Sequence, residues 1–164
     1  MELLFANACL VLRPEGGEGA VLPDGALRVD GEGRIAALGP SATLASPEAR
    51  AAFGGEVLDL GGRPILPGFV NAHTHLYSTL ARGMPLLPDR PPPANFREVL
   101  ERIWWPLDRA LDLEDVECSA LLGLMECVRA GVTTVVDHHA SEGAVEGSLA
   151  AVDRAAAALG VRLC

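Results

Sequence analysis

The chain of 164 residues contains no lysine, so all 13 of its basic residues are arginines. This absence excludes a lysine nucleophile, a Schiff base and a carbamylated lysine that bridges metals from this stretch of chain. Acidic residues number 22, which gives a net charge of −9. Nucleic acids and anionic membranes need a basic protein surface, so we expect neither as a partner.

Long hydrophobic runs and paired cysteines are missing as well. No apolar segment reaches the length of a membrane span, and the sequence opens without the basic region of a signal peptide. The four cysteines, Cys9, Cys118, Cys127 and Cys164, show neither CxxC nor zinc-finger spacing, and we assign them no chemistry. These absences predict a cytoplasmic protein with reduced thiols.

The residues that are present divide into two parts. With 49% hydrophobic residues and a mean hydropathy of +0.26, the chain can bury a core. Residues 1–66 have the pattern of short strands joined by tight turns, including a hairpin signal at Asp30-Gly31, and predict part of a small β-sandwich. Residues 67–164 alternate strands with helices, which predicts a parallel α/β domain.

Within the second part, strands are predicted at 65–72, at 132–137 and from residue 161. Asn95, with Glu98 three residues later, predicts the start of a helix that ends near Trp104 and Trp105. A second helix is predicted from Asp112 to the glycine at 131. The third helix ends at Gly160 and carries apolar residues at helical spacing: Val145, Leu149, Val152, Ala156 and Leu159.

All four histidines of the chain follow predicted strands. His73 and His75 end the first strand at i, i+2 spacing, so their side chains are expected on one face. Asn71 has the same parity and is expected on that face too. His138 and His139 end the next strand. Active sites of parallel α/β folds lie at the carboxyl ends of strands, so we expect these imidazoles to form a site or half of one.

Two imidazoles on one face are the start of a divalent metal site. A catalytic zinc takes about three protein ligands and an open position for water. We interpret His73 and His75 as metal ligands. Either His138 or His139 could join them or contact a substrate, with Asp137 as an orienting acceptor. The Asn71 amide could hold a ligand or a neighbouring strand by hydrogen bonds, or it could simply be a buried polar group with satisfied hydrogen bonds. Trp104 could wall a pocket for a planar substrate, although such residues more often pack a loop.

These motifs resemble the amidohydrolase superfamily, whose members are metal-dependent hydrolases on a (β/α)8 barrel. Residues 3–8, 33–39 and 59–62 are similar to the small β-sandwich that precedes the barrel, and residues 66–75 to the first barrel strand. The Asn71-x-His73-x-His75 form resembles the cytosine deaminase and chlorohydrolase branch, which holds one metal. Residues 81–84, 92–96, 104–111 and 131–141 resemble the SsnA-type aminohydrolases. The end of the second strand is also similar to 8-oxoguanine deaminases.

The resemblance implies the N-terminal part of a barrel, with residues 1–66 and 67–164 as its two domains. It implies one metal, zinc or alternatively iron, on His73 and His75, and hydrolysis of C–N bonds other than peptide bonds. The substrate would be a small cyclic amidine-like, purine-like or pyrimidine-like molecule attacked by activated water. We expect a homo-oligomer for the full-length protein.

The family's remaining ligands come from later strands. These 164 residues alone are therefore predicted to be inactive. The alternatives are a truncated non-catalytic fragment and one half of a split or oligomer-complemented enzyme.

Overall fold

The computed structural model describes residues 1–13, 16–18, 20–84 and 91–164. They form two compact units, Met1–Pro67 and Gly68–Cys164, here called the N-terminal and the C-terminal unit. Within the described ranges, no helix combines the length and the apolar character needed to cross a membrane.

The N-terminal unit is a five-stranded sheet with two short helices. Its elements are β1 (Leu3–Val11), β2 (Val21–Val29), β3 (Ile35–Pro40), α1 (Ser41–Leu44), α2 (Pro47–Ala52), β4 (Glu56–Asp59) and β5 (Pro64–Ile65). The sheet order is β3-β2-β1-β4, and β5 also pairs with β1. The pairs β1–β2 and β2–β3 are antiparallel, whereas β4 and β5 run parallel to β1.

The hairpin predicted at Asp30-Gly31 is confirmed, because residues 30–34 join the antiparallel strands β2 and β3. The Asp30 carboxylate stabilises this turn by accepting hydrogen bonds from the backbone N–H groups of Glu32 and Arg34, each at 2.9 Å. Gly33 has φ of +81°, a left-handed conformation that favours glycine.

Burial alternates along β1, as expected for a strand with one face on the core. The core of this unit consists of four buried side chains, Leu4, Ala6, Ala26 and Ala45, with Leu44, Phe53 and Val57 packed around them.

The C-terminal unit is a parallel sheet of order β6-β7-β8 with helices between the strands. Its strands are β6 (Phe69–Thr74), β7 (Val132–Asp137) and β8 (Arg162–Leu163). Its helices are a 3-10 helix (Leu76–Ala81), α3 (Phe96–Val99), a π-helical turn (Leu100–Trp104), α4 (Trp105–Ala110), α5 (Leu113–Arg129), a short 3-10 turn (Glu142–Ala144) and α6 (Ser148–Leu159).

Helix α5 packs on the sheet and on α6 through an apolar face that includes Val116, Ala120 and Leu124. Asp112 caps it as expected, since its carboxylate accepts from the N–H groups of Glu114 and Asp115, and the Asp115 side chain bonds back to Asp112 N–H. The core of the unit joins the 3-10 helix, α5, β7 and α6 through Leu76, Tyr77, Val116, Ala120, Leu124, Val135, Ala151, Val152, Ala155, Ala156 and Val161.

Two predicted boundaries were wrong. The helix capped by Asn95 does not end near Trp105 but continues through the π-helical turn to Ala110. Pro106 directly follows the π-helical turn, at the start of α4. Helix α6 begins only at Ser148, so Val145 lies before it and is 77% exposed. Leu149 lies within the helix and is nevertheless 68% exposed instead of buried.

Candidate functional site

Three of the four imidazoles gather where β6 and β7 end. These strands are parallel neighbours, so their carboxyl ends lie at one edge of the sheet. The ring centroids of His73 and His75 are 5.2 Å apart with nearly perpendicular planes, and the His138 ring stacks on His73 at 4.4 Å. The described structure therefore brings His138 to the predicted pair.

The hydrogen bond of His75 determines which of its nitrogens is free. His75 Nδ1 lies 2.7 Å from the backbone carbonyl oxygen of His138. A carbonyl oxygen can only accept, so Nδ1 carries the hydrogen and Nε2 of the neutral ring keeps its lone pair. Histidines that bind metals usually donate their second ring N–H to a carbonyl or carboxylate in this way.

Asp137 connects the two strand ends through its side chain. Its side chain is 5% exposed, and Oδ1 accepts from the backbone N–H of Leu76 at 2.8 Å. Next to it, the His138 N–H donates to the Thr74 carbonyl at 2.8 Å. His75 thus lies between two residues whose backbones are bonded to the end of β7.

The side chain of Asn71 does not lie on the face of the imidazoles, so that prediction was wrong. Between Asn71 and Thr74, β6 advances by one residue more than β7, because Asn71 pairs with Val135 and Thr74 with Asp137. This bulge breaks the alternation on which the prediction rested. Asn71 Nδ2 lies 4.0 Å from Sγ of Cys127 on α5, and Oδ1 accepts from the His73 N–H at 3.3 Å.

His139 points away from the three gathered imidazoles. Its side chain is 11% exposed and packs edge-to-face on Tyr77, with ring centroids 5.4 Å apart. Its Nδ1 lies 3.7 Å from Asp137 Oδ2, and neither ring nitrogen has a hydrogen-bond partner in the described part of the chain.

A pocket of about 340 Å³ adjoins His75. Trp104 lines it, with its ring 6.5 Å from the His75 ring. The remaining lining residues are Tyr77, Phe96, Leu100, Trp105, Asp108 and Ala140. The pocket is mainly aromatic, which suits a planar ligand.

Two titratable residues of this pocket were not predicted from the sequence. Asp108 is 5% exposed, and its Oδ1 has no hydrogen-bond partner among the described residues. Burial, followed by the nearby Asp108 and Asp137 carboxylates, raises the pKa of Tyr77 above its usual range. In the sequence, Asp108 lies three residues after Trp105, between the two predicted helices, and nothing there indicated burial.

The donor chemistry at the strand ends fits a zinc ion, but the set of ligands is incomplete. Imidazole suits zinc, and His75 is held in the tautomer that leaves Nε2 free. No group of three or more histidine, cysteine, aspartate or glutamate side chains in the described ranges is arranged to hold a metal. The His138 ring stacks on His73 and is not part of such a group. The chain thus offers His73 and His75 as two donors.

Comparisons with known proteins support the family suggested by the sequence. Residues 65–164 match the model of the amidohydrolase family. A 5-methylthioadenosine/S-adenosylhomocysteine deaminase of Nitratidesulfovibrio vulgaris (strain DP4) is 40% identical over 135 residues, which are 82% of this chain and 27% of the relative. The chain thus spans about a quarter of the length of that relative. The predicted superfamily is confirmed.

Solved structures show the same fold. A triazine hydrolase from Arthrobacter aurescens superposes with a TM-score of 0.69 at 25% identity, over 99% of this chain and 34% of that one. An adenosine deaminase from Xanthomonas campestris, solved with bound zinc, gives a TM-score of 0.65 at 27% identity, over 98% of this chain and 32% of that one. The predicted fold class, the α/β N-terminal part of such an enzyme, is confirmed.

Proposed function

Because the chain belongs to the amidohydrolase family, we propose that it supplies the first two metal ligands of a zinc-dependent aminohydrolase. The observation that carries this proposal is the bond from His75 Nδ1 to the His138 carbonyl, which leaves Nε2 free beside His73. When bound, zinc acts as a Lewis acid that activates water for attack on a carbon–nitrogen bond. The ligands still needed lie outside this chain.

The residues around the two donors have roles that follow from their contacts. The His138 ring stacks on His73 and restricts its orientation, while the His138 backbone orients His75. Trp104 and its aromatic neighbours form a pocket that suits a planar heterocycle, with the unpartnered Asp108 oxygen as an acceptor for a ring N–H or a hydroxyl. We therefore infer a small substrate of the cyclic amidine, purine or pyrimidine class.

The activities for which similar proteins are named support the same reaction class. They include a 5-methylthioadenosine/S-adenosylhomocysteine deaminase, an adenosine deaminase and a triazine hydrolase. Deaminases of this kind release ammonia from a ring carbon. Assignment to the SsnA-type branch, a cytoplasmic location and a homo-oligomeric full-length enzyme remain part of this proposal.

The metal step is tested by titrating the 164-residue chain with Co²⁺, whose absorption reports coordination, and by competition with Zn²⁺. Binding is expected in the wild-type chain and its loss in His73→Ala and His75→Ala. His139→Ala is the matched control, because it also removes an imidazole, but one that packs on Tyr77 away from the pair. Equal binding by all four proteins would disprove the role of the pair.

The catalytic step needs the rest of the protein. A chimera is made in which this chain replaces the matching segment of the Nitratidesulfovibrio deaminase. We expect ammonia release from adenine nucleosides by the chimera, and none by the 164-residue chain alone. A folded chimera that binds zinc and hydrolyses none of the purine, pyrimidine and triazine substrates offered would contradict the proposed reaction.

A further inference from the structure

We propose that Asp137 is a positioning residue that fixes the ring of His75 from the neighbouring strand. This inference deepens the proposed function, since it concerns the same metal site. It rests on three hydrogen bonds between residues 74–76 and residues 137–138, here called the strand-end network: Thr74 O with His138 N–H, Leu76 N–H with Asp137 Oδ1, and His75 Nδ1 with His138 O.

The strand-end network is needed because β6 is irregular before His75. The bulge between Asn71 and Thr74 interrupts the regular ladder with β7. His75 itself has left the strand, with φ of −132° and ψ of 82°, and precedes the 3-10 helix Leu76–Ala81. Regular strand pairing therefore does not set the direction of the His75 ring.

The Asp137 side chain supplies a hydrogen bond between the strand ends that the β6–β7 pairing does not provide. The Leu76 N–H opens the 3-10 helix, so no carbonyl within that helix can accept from it. Asp137 Oδ1 accepts from it across the strands at 2.8 Å, in a site where the side chain is 5% exposed. A hydrogen bond between a buried carboxylate and a backbone N–H is stronger than a neutral one, and losing the acceptor would leave a buried donor unpaired.

The backbone of Asp137 is held equally firmly. Its N–H donates to the Cys164 carbonyl at 2.9 Å, and the Cys164 N–H donates to the Val135 carbonyl at 2.9 Å. The residue that follows β8 therefore holds the Asp137 backbone from the other side. One residue further, the His138 carbonyl accepts from His75 Nδ1. With Leu76 anchored to Asp137 and Thr74 to His138, the His75 ring is directed to that carbonyl and keeps Nε2 free.

The test compares substitutions that differ in what they remove. Asp137→Leu removes the acceptor, whereas Asp137→Asn keeps a side-chain oxygen for the Leu76 N–H. Val135→Ala is the control for stability, because Val135 is fully buried in the same strand but takes no part through its side chain in the strand-end network. The tautomer of His75 is read by NMR on the metal-free 164-residue chain labelled with ¹⁵N in its four histidines, and Zn²⁺ affinity by chelator competition.

The wild-type chain is expected to show His75 with the hydrogen on Nδ1. Asp137→Leu should lose this preference and bind Zn²⁺ roughly 10–100-fold more weakly, the loss usual for residues that orient metal ligands. Asp137→Asn should largely restore both. Val135→Ala should melt at a lower temperature but keep the tautomer and the affinity. A merely structural role for Asp137 predicts instead that both properties follow stability in all variants.

Several outcomes would overturn the inference. These are a wild-type His75 with the hydrogen on Nε2 or with averaged tautomers, an Asp137→Leu chain with unchanged tautomer, and a Val135→Ala chain that loses the tautomer as well. If the Asp137→Leu chain does not fold, the His75 tautomer in the wild type and in Asp137→Asn still tests the positioning role. If the wild type binds no zinc yet holds the Nδ1–H tautomer, the proposed function fails and the positioning role stands.

Discussion

The two units differ in whether all of their described buried side-chain polar atoms have hydrogen-bond partners. In the N-terminal unit, the buried Ser41 hydroxyl donates to the Gly25 carbonyl at 2.7 Å and accepts from the Asn7 N–H at 3.1 Å. Asn7 in turn bonds to Asp59 and Arg50, which also bond to each other. In the C-terminal unit, atoms of Asp108, His139 and Ser141 are buried without a partner among the described residues.

We interpret the bonded residues Ser41, Asn7, Asp59 and Arg50 as a cluster that stabilises the fold, here called the N-terminal cluster. The atoms of Asp108, His139 and Ser141 that lack a partner among the described residues are free to bind a ligand. Nearly all buried polar groups in native proteins have partners, so each exception needs an explanation. The exceptions here are confined, within the described ranges, to the unit that carries the imidazoles and the aromatic pocket. Substitutions in the N-terminal cluster should therefore lower the free energy of unfolding, whereas substitutions at the ends of β6 and β7 should lower the affinity for Zn²⁺.

The largest expected effect is on metal affinity. His75→Ala removes one of two protein donors and should weaken Zn²⁺ binding by at least about 100-fold, more than is usual for residues behind the ligands. The melting temperature should change little because the His75 side chain is exposed. Chelator competition and calorimetric melting measure the two quantities. If His75→Ala unfolded the chain instead of lowering its Zn²⁺ affinity, the proposed difference between the two units would be contradicted.

The next effect is on stability and lies in the N-terminal unit. Asn7 has φ of +52°, a left-handed conformation that asparagine adopts more readily than alanine does. Asn7→Ala adds backbone strain and removes the bonds to Asp59 and Arg50, so we expect a loss of about 1–3 kcal/mol in unfolding free energy. Urea denaturation measures it.

Asn7→Gly is the matched control, because it removes the same bonds but tolerates the positive φ, and it should lose less. Zn²⁺ affinity should be unchanged in both variants. Equal losses in the two variants would show that strain contributes nothing.

A third, smaller effect concerns the pKa of Tyr77. Burial is the main cause of its raised pKa and the Asp108 carboxylate the next. Asp108→Asn removes one negative charge, so the pKa should fall while burial keeps it above the ordinary value near 10. Ultraviolet titration of the chain's single tyrosine measures it. The exposed Asp153→Asn is the control, and an unchanged pKa in Asp108→Asn would place the carboxylate too far from the phenol to matter.

The smallest effect is a pH dependence of the N-terminal unit. The Arg50 side chain, the Gly61 N–H and Asn7 lower the pKa of Asp59. A carboxylate with a lower pKa in the folded state stabilises the fold above its unfolded pKa of about 4, and this contribution is lost as the pH falls through the folded value. Asp59→Asn should therefore be less stable than wild type at neutral pH and equal to it in acid. A difference that persists in acid would assign the loss to packing.

Much of the fold followed from local sequence patterns. The Asp30-Gly31 turn, the caps at Asn95 and Asp112 and the order of strands and helices depend on short-range geometry that the residues themselves impose. The boundaries that failed depend on backbone conformations that the spacing of apolar residues does not show. The helix passes Trp105 because a π-helical turn accommodates it, and α6 starts late because Gly147 takes φ of +94°.

The sequence by itself determined that the imidazoles follow two neighbouring parallel strands, and it identified the family. That was possible because residue type and spacing are local properties. Only the tertiary structure decided that a bulge turns Asn71 toward Cys127 and that His138, not His139, lies beside His73. It also placed Asp137 against Leu76 and buried Asp108 in the pocket. Each of these depends on the register between strands or on packing between distant segments, which no single stretch of sequence contains.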